Sequence, residues 1–240
     1  MGMVMAELTV VRHGQSEANL AFAAAEAAGR LDSGVVGRDV DVPLSPLGRA
    51  QALAVGRRLA GMRPSQRPQV VVCSPYRRAG QTWELARAAA HDMGADLPSA
   101  YVDDRVGDRV MGRLELMTSA AIEAGFPKEA ARRREVGEFA YRPPGGESFD
   151  DIAVRLARAV TDLHARHAGQ RVWVIAHDAV VLVMRRLIEN LTPAELAAVV
   201  VDGPVANASF TRFAAVAGRL RLTRYNDVEH LAEVGRDREP

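Results

Sequence analysis

The chain has 240 residues, 48% of them hydrophobic, enough for one substantial α/β domain with a large core and too many for a small stapled module. Its formal net charge is only +1, with 31 basic and 30 acidic residues interspersed, which excludes a broad basic footprint for nucleic acid or an anionic membrane. One cysteine excludes an intramolecular disulfide, and neither a basic leader with an apolar core nor a membrane-length apolar run occurs, so a cytoplasmic location is the expectation.

In chain order, Leu8-Thr9-Val10-Val11 reads as a first strand running into Arg12-His13-Gly14-Gln15-Ser16-Glu17, with a helix opening near Ser16. A glycine-rich loop spans 29–43. Within it Asp39-Val40-Asp41-Val42 has the spacing of a two-carboxylate nucleophile motif, but no apolar strand precedes it and Pro43 follows, so it reads as loop. Ser45-Pro46, Ser74-Pro75 and Thr192-Pro193 each pair a capping hydroxyl with a proline and predict helices. Val70-Val71-Val72-Cys73 is a second strand, leading into the segment 74–82. Residues 103–142, rich in charge and small side chains with helix starts at Thr118 and Pro127, read as a helical cap inserted over a pocket. In it Arg132, Arg133 and Arg134 read as a solvated face paired with Glu129 and Glu135. Ser148-Phe149-Asp150-Asp151 resembles a capping box for a helix running to about His167 and ended by Gly169. A third strand, Val172-Trp173-Val174-Ile175-Ala176, runs into His177-Asp178, and 208–214 with 219–225 form a hairpin about Gly218. The predicted fold is an α/β three-layer sandwich with a mostly parallel central sheet flanked by helices. It is a single domain over 1–240, with 103–142 as the cap.

Each of the three strands ends in a cation or an imidazole. If they are parallel neighbours, their exits bring Arg12, His13, Arg78 and His177 around one pocket at the carboxyl edge of the sheet. Such a pocket attracts an anion, and guanidinium forks match the outer oxygens of a phosphoryl group. A cysteine-nucleophile site is excluded because the position six after Cys73 is Ala79, not arginine. No Gly-Lys-Ser/Thr phosphate loop occurs. His164 and His167 lack a completing glutamate or cysteine cluster and read as solvated surface, so no metal is expected. His91 reads as near a helix end and His230 as in the carboxyl-terminal tail, each without a clear partner. Asp178 reads as a cap for the helix after His177.

With these residues, the chain resembles the histidine phosphatase superfamily, or phosphoglycerate mutase-like family. The resemblance is carried by Arg12-His13-Gly14-Gln15-Ser16-Glu17-Ala18-Asn19, by 74–82 with Arg78 before Ala79, and by His177. Supporting pieces are Asp41-Val42-Pro43-Leu44-Ser45 with Gly48 and Gln51, Pro143-Pro144-Gly145-Gly146-Glu147-Ser148, and Asn207-Ala208-Ser209. It implies that His13 is the nucleophile, that Arg12, Arg78, His177 and Asn19 hold the phosphoryl group, and that His177 is also catalytic. The family's acid is commonly a glutamate four residues before a glycine; here Asp108 stands four before Gly112, one methylene shorter. For Asp108 to donate a proton at neutral pH, burial or an approaching phosphate must raise its pKa. The implied activity is metal-independent phosphomonoester hydrolysis through a phosphohistidine, on a small phosphorylated metabolite and without a cofactor. A 2,3-bisphosphoglycerate-dependent phosphoglycerate mutase is the alternative, and a non-catalytic phospholigand-binding protein the second. No nucleic-acid or membrane partner is expected, and a homodimer is the default assembly.

Overall fold

The computed structural model describes residues 4–201 and 203–234. Its helices and strands are β1 (Glu7–Arg12), α1 (Glu17–Ala27), α2 (Pro46–Ala60), β2 (Val70–Cys73), α3 (Arg77–Asp92), β3 (Ala100–Val102), α4 (Ser119–Gly125), α5 (Pro127–Val136), α6 (Phe149–Arg166), β4 (Arg171–Ala176), α7 (Asp178–Glu189), α8 (Pro193–Val199), β5 (Phe210–Val216) and β6 (Arg219–Asp227).

The apolar runs of β1, β2 and β4 are buried on both faces, which is why they read as continuous hydrophobic segments rather than as alternating ones. Successive side chains nevertheless divide between two cores. Leu8, Val10, Val72, Val172 and Val174 pack with Ile152, Leu156 and Met184 of α6 and α7. Val11, Val71, Trp173 and Ile175 pack with Val55, Leu59, Ala79 and Trp83 of α2 and α3. The sheet is therefore the middle of three layers, with strand order β3-β2-β4-β1-β5-β6. Its first four strands are parallel, and β5 and β6 run antiparallel to β1 and to each other, as the predicted hairpin requires. Among the described residues no helix is long and apolar enough to cross a membrane.

The helix starts predicted at Ser16, Ser45, Thr118, Ser148 and Thr192 are all capped by those side chains, and Ser16, Ser148 and Thr192 form reciprocal capping boxes. Ser74 differs. The helix after it begins at Arg77 with Tyr76 in the cap position, because the Ser74 hydroxyl lies 2.7 Å from His177 Nε2 instead. The short edge strand β3 carried no sequence signal, having only Ala100, Tyr101 and Val102.

Segment 103–142 folds as α4 and α5 with a small core of Leu114, Ile122, Ala130 and Tyr141. Of the three consecutive arginines of α5, Arg132 lies 3.8 Å from Glu129 and Arg134 2.9 Å from Glu123, whereas Arg133 turns to Glu138. His164 is half-buried rather than solvated, with Nδ1 accepting a hydrogen bond from Met5 N at 3.2 Å. His230 stacks on Phe210 with ring centroids 4.3 Å apart, and burial pushes its pKa down to about 4.

Candidate active site

Strand register brings the predicted residues together. Arg12, the last residue of β1, pairs with Ala176 of β4, and Cys73 of β2 pairs with Ile175, so the three chains leave the sheet at one level. His13 N donates to Ala176 O at 2.9 Å and Ser74 N to Ile175 O at 3.0 Å. The His13 carbonyl accepts both Ala208 N and Asn207 Nδ2, each at 3.1 Å, which anchors the turn to the segment before β5.

Gly14 and Gly48 exist for close approach. A Cβ on Gly48 would lie 1.9 Å from Gln15 O, and one on Gly14 2.5 Å from Gly48 O. The contact lets Ser45 N bond Gln15 O and Gln51 Oε1 accept Gln15 N, so the start of α2 buttresses the His13 turn. Gly48→Ala is expected to destabilise the protein by about 2 kcal/mol or more by forcing these backbones apart, measurable by urea denaturation. An unchanged midpoint would show that the turn does not depend on this contact.

His13 is 3% exposed, with Nδ1 2.7 Å from Gly14 O. A carbonyl oxygen only accepts, so Nδ1 carries the proton and Nε2 has the lone pair. Nε2 faces Arg78, whose Nε–H donates to it at 3.2 Å. Burial first, then His177, Arg78 and Arg12, hold the His13 pKa well below the usual histidine range, so the imidazole is neutral. A neutral imidazole with a fixed tautomer and an inward lone pair is competent as a nucleophile.

All five N–H groups of Arg78 are engaged. Besides His13, they meet Asp39 O, Asp39 Oδ1 and Asp39 Oδ2 at 2.7, 2.9 and 3.1 Å, and Asp108 Oδ2 at 2.8 Å. The 39–41 segment is thus not the plain loop expected. It forms a 3-10 turn that lays a carboxylate across the guanidinium an oxyanion would use. Asp39→Asn is expected to tighten binding of inorganic phosphate about fivefold to tenfold, read by calorimetry. Unchanged affinity would mean that phosphate does not compete with Asp39 for Arg78.

Arg12 spans Val205 O and Asp178 Oδ2, the latter at 3.3 Å, and its buried Nε has no acceptor among the described residues. Asp178 is not the cap expected of it: it is the first residue of α7, with His177 in the cap position. One carboxylate oxygen takes Ala179 N at 2.7 Å while the other meets Arg12. Asn19 Oδ1 accepts Ser16 N and Asn207 Nδ2, which orients its amide nitrogen away from those donors.

Asp108 does not pair with the side chain of Arg105 or Arg109, the two neighbours a solvated loop would offer. Its Oδ2 lies 3.1 Å from His177 Nδ1 and 2.8 Å from Arg78 Nη2, and Oδ1 accepts Arg109 N at 2.8 Å. Arg155 of α6 pins this loop by donating to the carbonyls of Arg105, Gly107 and Asp108. Burial acts to raise the Asp108 pKa, but His177, Arg78 and the Arg109 N–H outweigh it and hold the carboxyl well below its usual range. That is the reverse of the raised pKa an acid needs.

Tyr76 was not predicted as a site residue. Its ring meets the His177 ring edge-on at 4.7 Å and lies 4.6 Å under the Arg78 guanidinium, so it braces both. An uncharged aromatic in a strand exit offered no chemical signal. Cys73 is buried with its thiol pushed up to about 12, an inert group. Arg12, His13, Asn19, Tyr76, Arg78, Asp108 and Asp178 line a cavity of about 340 Å³ reaching to α4, and the fully buried His177 meets that lining through Asp108 and Tyr76.

The family model for the histidine phosphatase superfamily (branch 1) matches residues 8–228. The chain belongs to the histidine phosphatase superfamily. Among its relatives, a metal-independent phosphoserine phosphatase of Arabidopsis thaliana is 27% identical, covering 95% of this chain and 84% of that protein. A 2,3-bisphosphoglycerate-dependent phosphoglycerate mutase of Gloeobacter violaceus is 30% identical over 82% of each. The solved structure of a mycobacterial glucosyl-3-phosphoglycerate phosphatase with VO3 superposes with a TM-score of 0.71 at 27% identity, covering 92% of this chain and 99% of that one. Histidine phosphatase relatives of this chain thus include both phosphatases and mutases.

Proposed function

We propose that this histidine phosphatase is a metal-independent phosphomonoester hydrolase acting through a phosphohistidine on a small phosphorylated metabolite. The observation that carries the reading is the neutral, single-tautomer His13, whose Nε2 lone pair lies beside the Arg78 guanidinium. Phosphoryl transfer needs positioning and charge stabilisation more than covalent help. Arg12, Arg78, His177 and Asn19 supply donors for the equatorial oxygens, and the Arg12 Nε left without an acceptor is one of them.

In the first step the His13 Nε2–P bond forms as the ester P–O bond breaks, and Asp108 gives its proton to the departing oxygen. In the second, Asp108 takes a proton from water as that water attacks phosphorus, and the N–P bond breaks to release inorganic phosphate. The low pKa of Asp108 in the free site does not prevent this. A bound phosphate dianion claims the donors of Arg78 and His177 that hold the carboxyl down, leaving burial and a new negative charge, and both of these raise it.

The test is hydrolysis of an aryl phosphate in excess chelator, with rapid quenching at alkaline pH to trap acid-labile phosphohistidine. Turnover with label on histidine is expected. Absence of both overturns the proposal. Formation of 2-phosphoglycerate from 3-phosphoglycerate, stimulated by 2,3-bisphosphoglycerate and faster than hydrolysis, would assign the chain to the mutases instead.

A further inference from the structure

We infer that the ligand of this cavity carries a single anionic group, the phosphoryl group itself, on an apolar body. This inference rests on the proposed phosphoryl site but concerns the other half of the cavity. Directly after Asp108 the chain runs along the cavity through Met111, Leu114, Leu116 and Met117, and Phe22 of α1 and Ile122 of α4 complete an apolar wall. Because this wall continues from the group placed beside the leaving oxygen, it faces whatever that oxygen is attached to.

Leu116 is held there at a cost. Its φ of 57° is a left-handed conformation uncommon for a residue with a side chain, and Ser33 Oγ donates to its carbonyl at 3.1 Å. A side chain kept in the cavity by a disfavoured backbone is consistent with contact to a ligand.

The charges of the cavity disfavour a second anion. Apart from Arg12 and Arg78, the lining cations are Arg109 and Arg133, which both pair with Glu138, Arg109 through Nη1 and Arg133 through Nε. Arg109 also donates to Tyr141 O and Glu147 O. Facing them are the carboxylates of Glu26, Asp39, Asp108, Glu115 and Asp178. A carboxylate or second phosphate on the ligand body would meet a lining in which these five carboxylates outnumber the four arginines, two of which the phosphoryl group itself would occupy.

Calorimetric titration with n-alkylphosphonates from ethyl to hexyl, against ω-carboxyalkylphosphonates of equal length, tests this without requiring turnover. Affinity is expected to rise by about fourfold per methylene over the first additions, as each is buried. The carboxylated member of each pair is expected to bind at least about tenfold more weakly. Leu116→Asn suits the left-handed backbone and should flatten the chain-length dependence, weakening hexylphosphonate more than ethylphosphonate. Affinity independent of chain length, or carboxylated ligands bound as well as their alkyl partners, overturns the inference. Hydrolysis of the matching alkyl phosphates is followed in parallel. The expected binding trend without any hydrolysis would support the inference while removing the hydrolase reading beneath it.

Discussion

His13→Ala is expected to lower turnover of an aryl phosphate by at least about 10⁴-fold, the scale seen when a covalent nucleophile is removed. The expectation follows from how little else in the cavity could replace it. The other imidazole, His177, is engaged at Nε2 by Ser74 and approaches Asp108 through Nδ1, so neither nitrogen is presented as a free lone pair beside the Arg78 fork. Cys73 is buried with a raised pKa and cannot substitute. Truncation leaves the Gly14 carbonyl and Arg78 Nε without their partner, a cost of about 1–3 kcal/mol. The melting transition of the variant must therefore be measured beside its rate. A folded variant that keeps more than about one hundredth of native activity would remove His13 from the nucleophile's role.

Asp108→Asn is expected to separate substrates by leaving group. Loss of a positioned general acid costs roughly 10²–10⁴ in rate where the leaving oxygen needs a proton, and much less where the leaving phenolate is already stable. Alkyl phosphates should therefore slow by about that range, while a nitrophenyl ester loses no more than about tenfold. Asparagine nearly preserves the shape and keeps an acceptor for Arg109 N, so the loop pinned by Arg155 should hold. Removing the carboxylate also frees one donor of Arg78 and relieves repulsion toward phosphate, so KM should fall rather than rise. Equal loss on both classes of ester would make Asp108 a positioning group for Arg78 and His177 instead of the proton carrier.

The two variants probe opposite sides of one electrostatic arrangement. In the free site Asp39 and Asp108 saturate the guanidinium that the proposed mechanism needs for substrate, and the imidazole that would attack is kept neutral by burial and by neighbouring cations. Binding thus exchanges internal anions for an external one. Affinity depends on the difference between the two sets of bonds, not on the sum of the new ones.

Much of this was legible in the sequence for local reasons. Short apolar runs mark strands buried on both faces, and a hydroxyl before proline or before a helical run marks a cap, so β1, β2 and β4 and most helix starts could be read. Reading His13, Arg78 and His177 required only that such strands expose the residue following them. Ser74 shows where local reading fails, since its hydroxyl had a capping use and a tertiary one, and the contact with His177, 103 positions away, won.

Sequence alone determined the strand-end residues, the three-layer α/β class and the helix starts at Thr118 and Pro127, because these depend on patterns a few residues long. Tertiary structure decided that β4 lies between β1 and β2, that Asp39 rather than solvent covers Arg78, and that Asp108 is ionised at rest. It also decided that Met111, Leu114, Leu116 and Met117 form an apolar wall of the cavity that His13 and Arg78 line. The reason is common to all four. A loop side chain is aimed by groups that hold its backbone from elsewhere, as Arg155 holds Asp108 from 47 residues away, and its protonation follows the charges gathered there. Neither the hold nor the gathering leaves a pattern in the residues immediately around it.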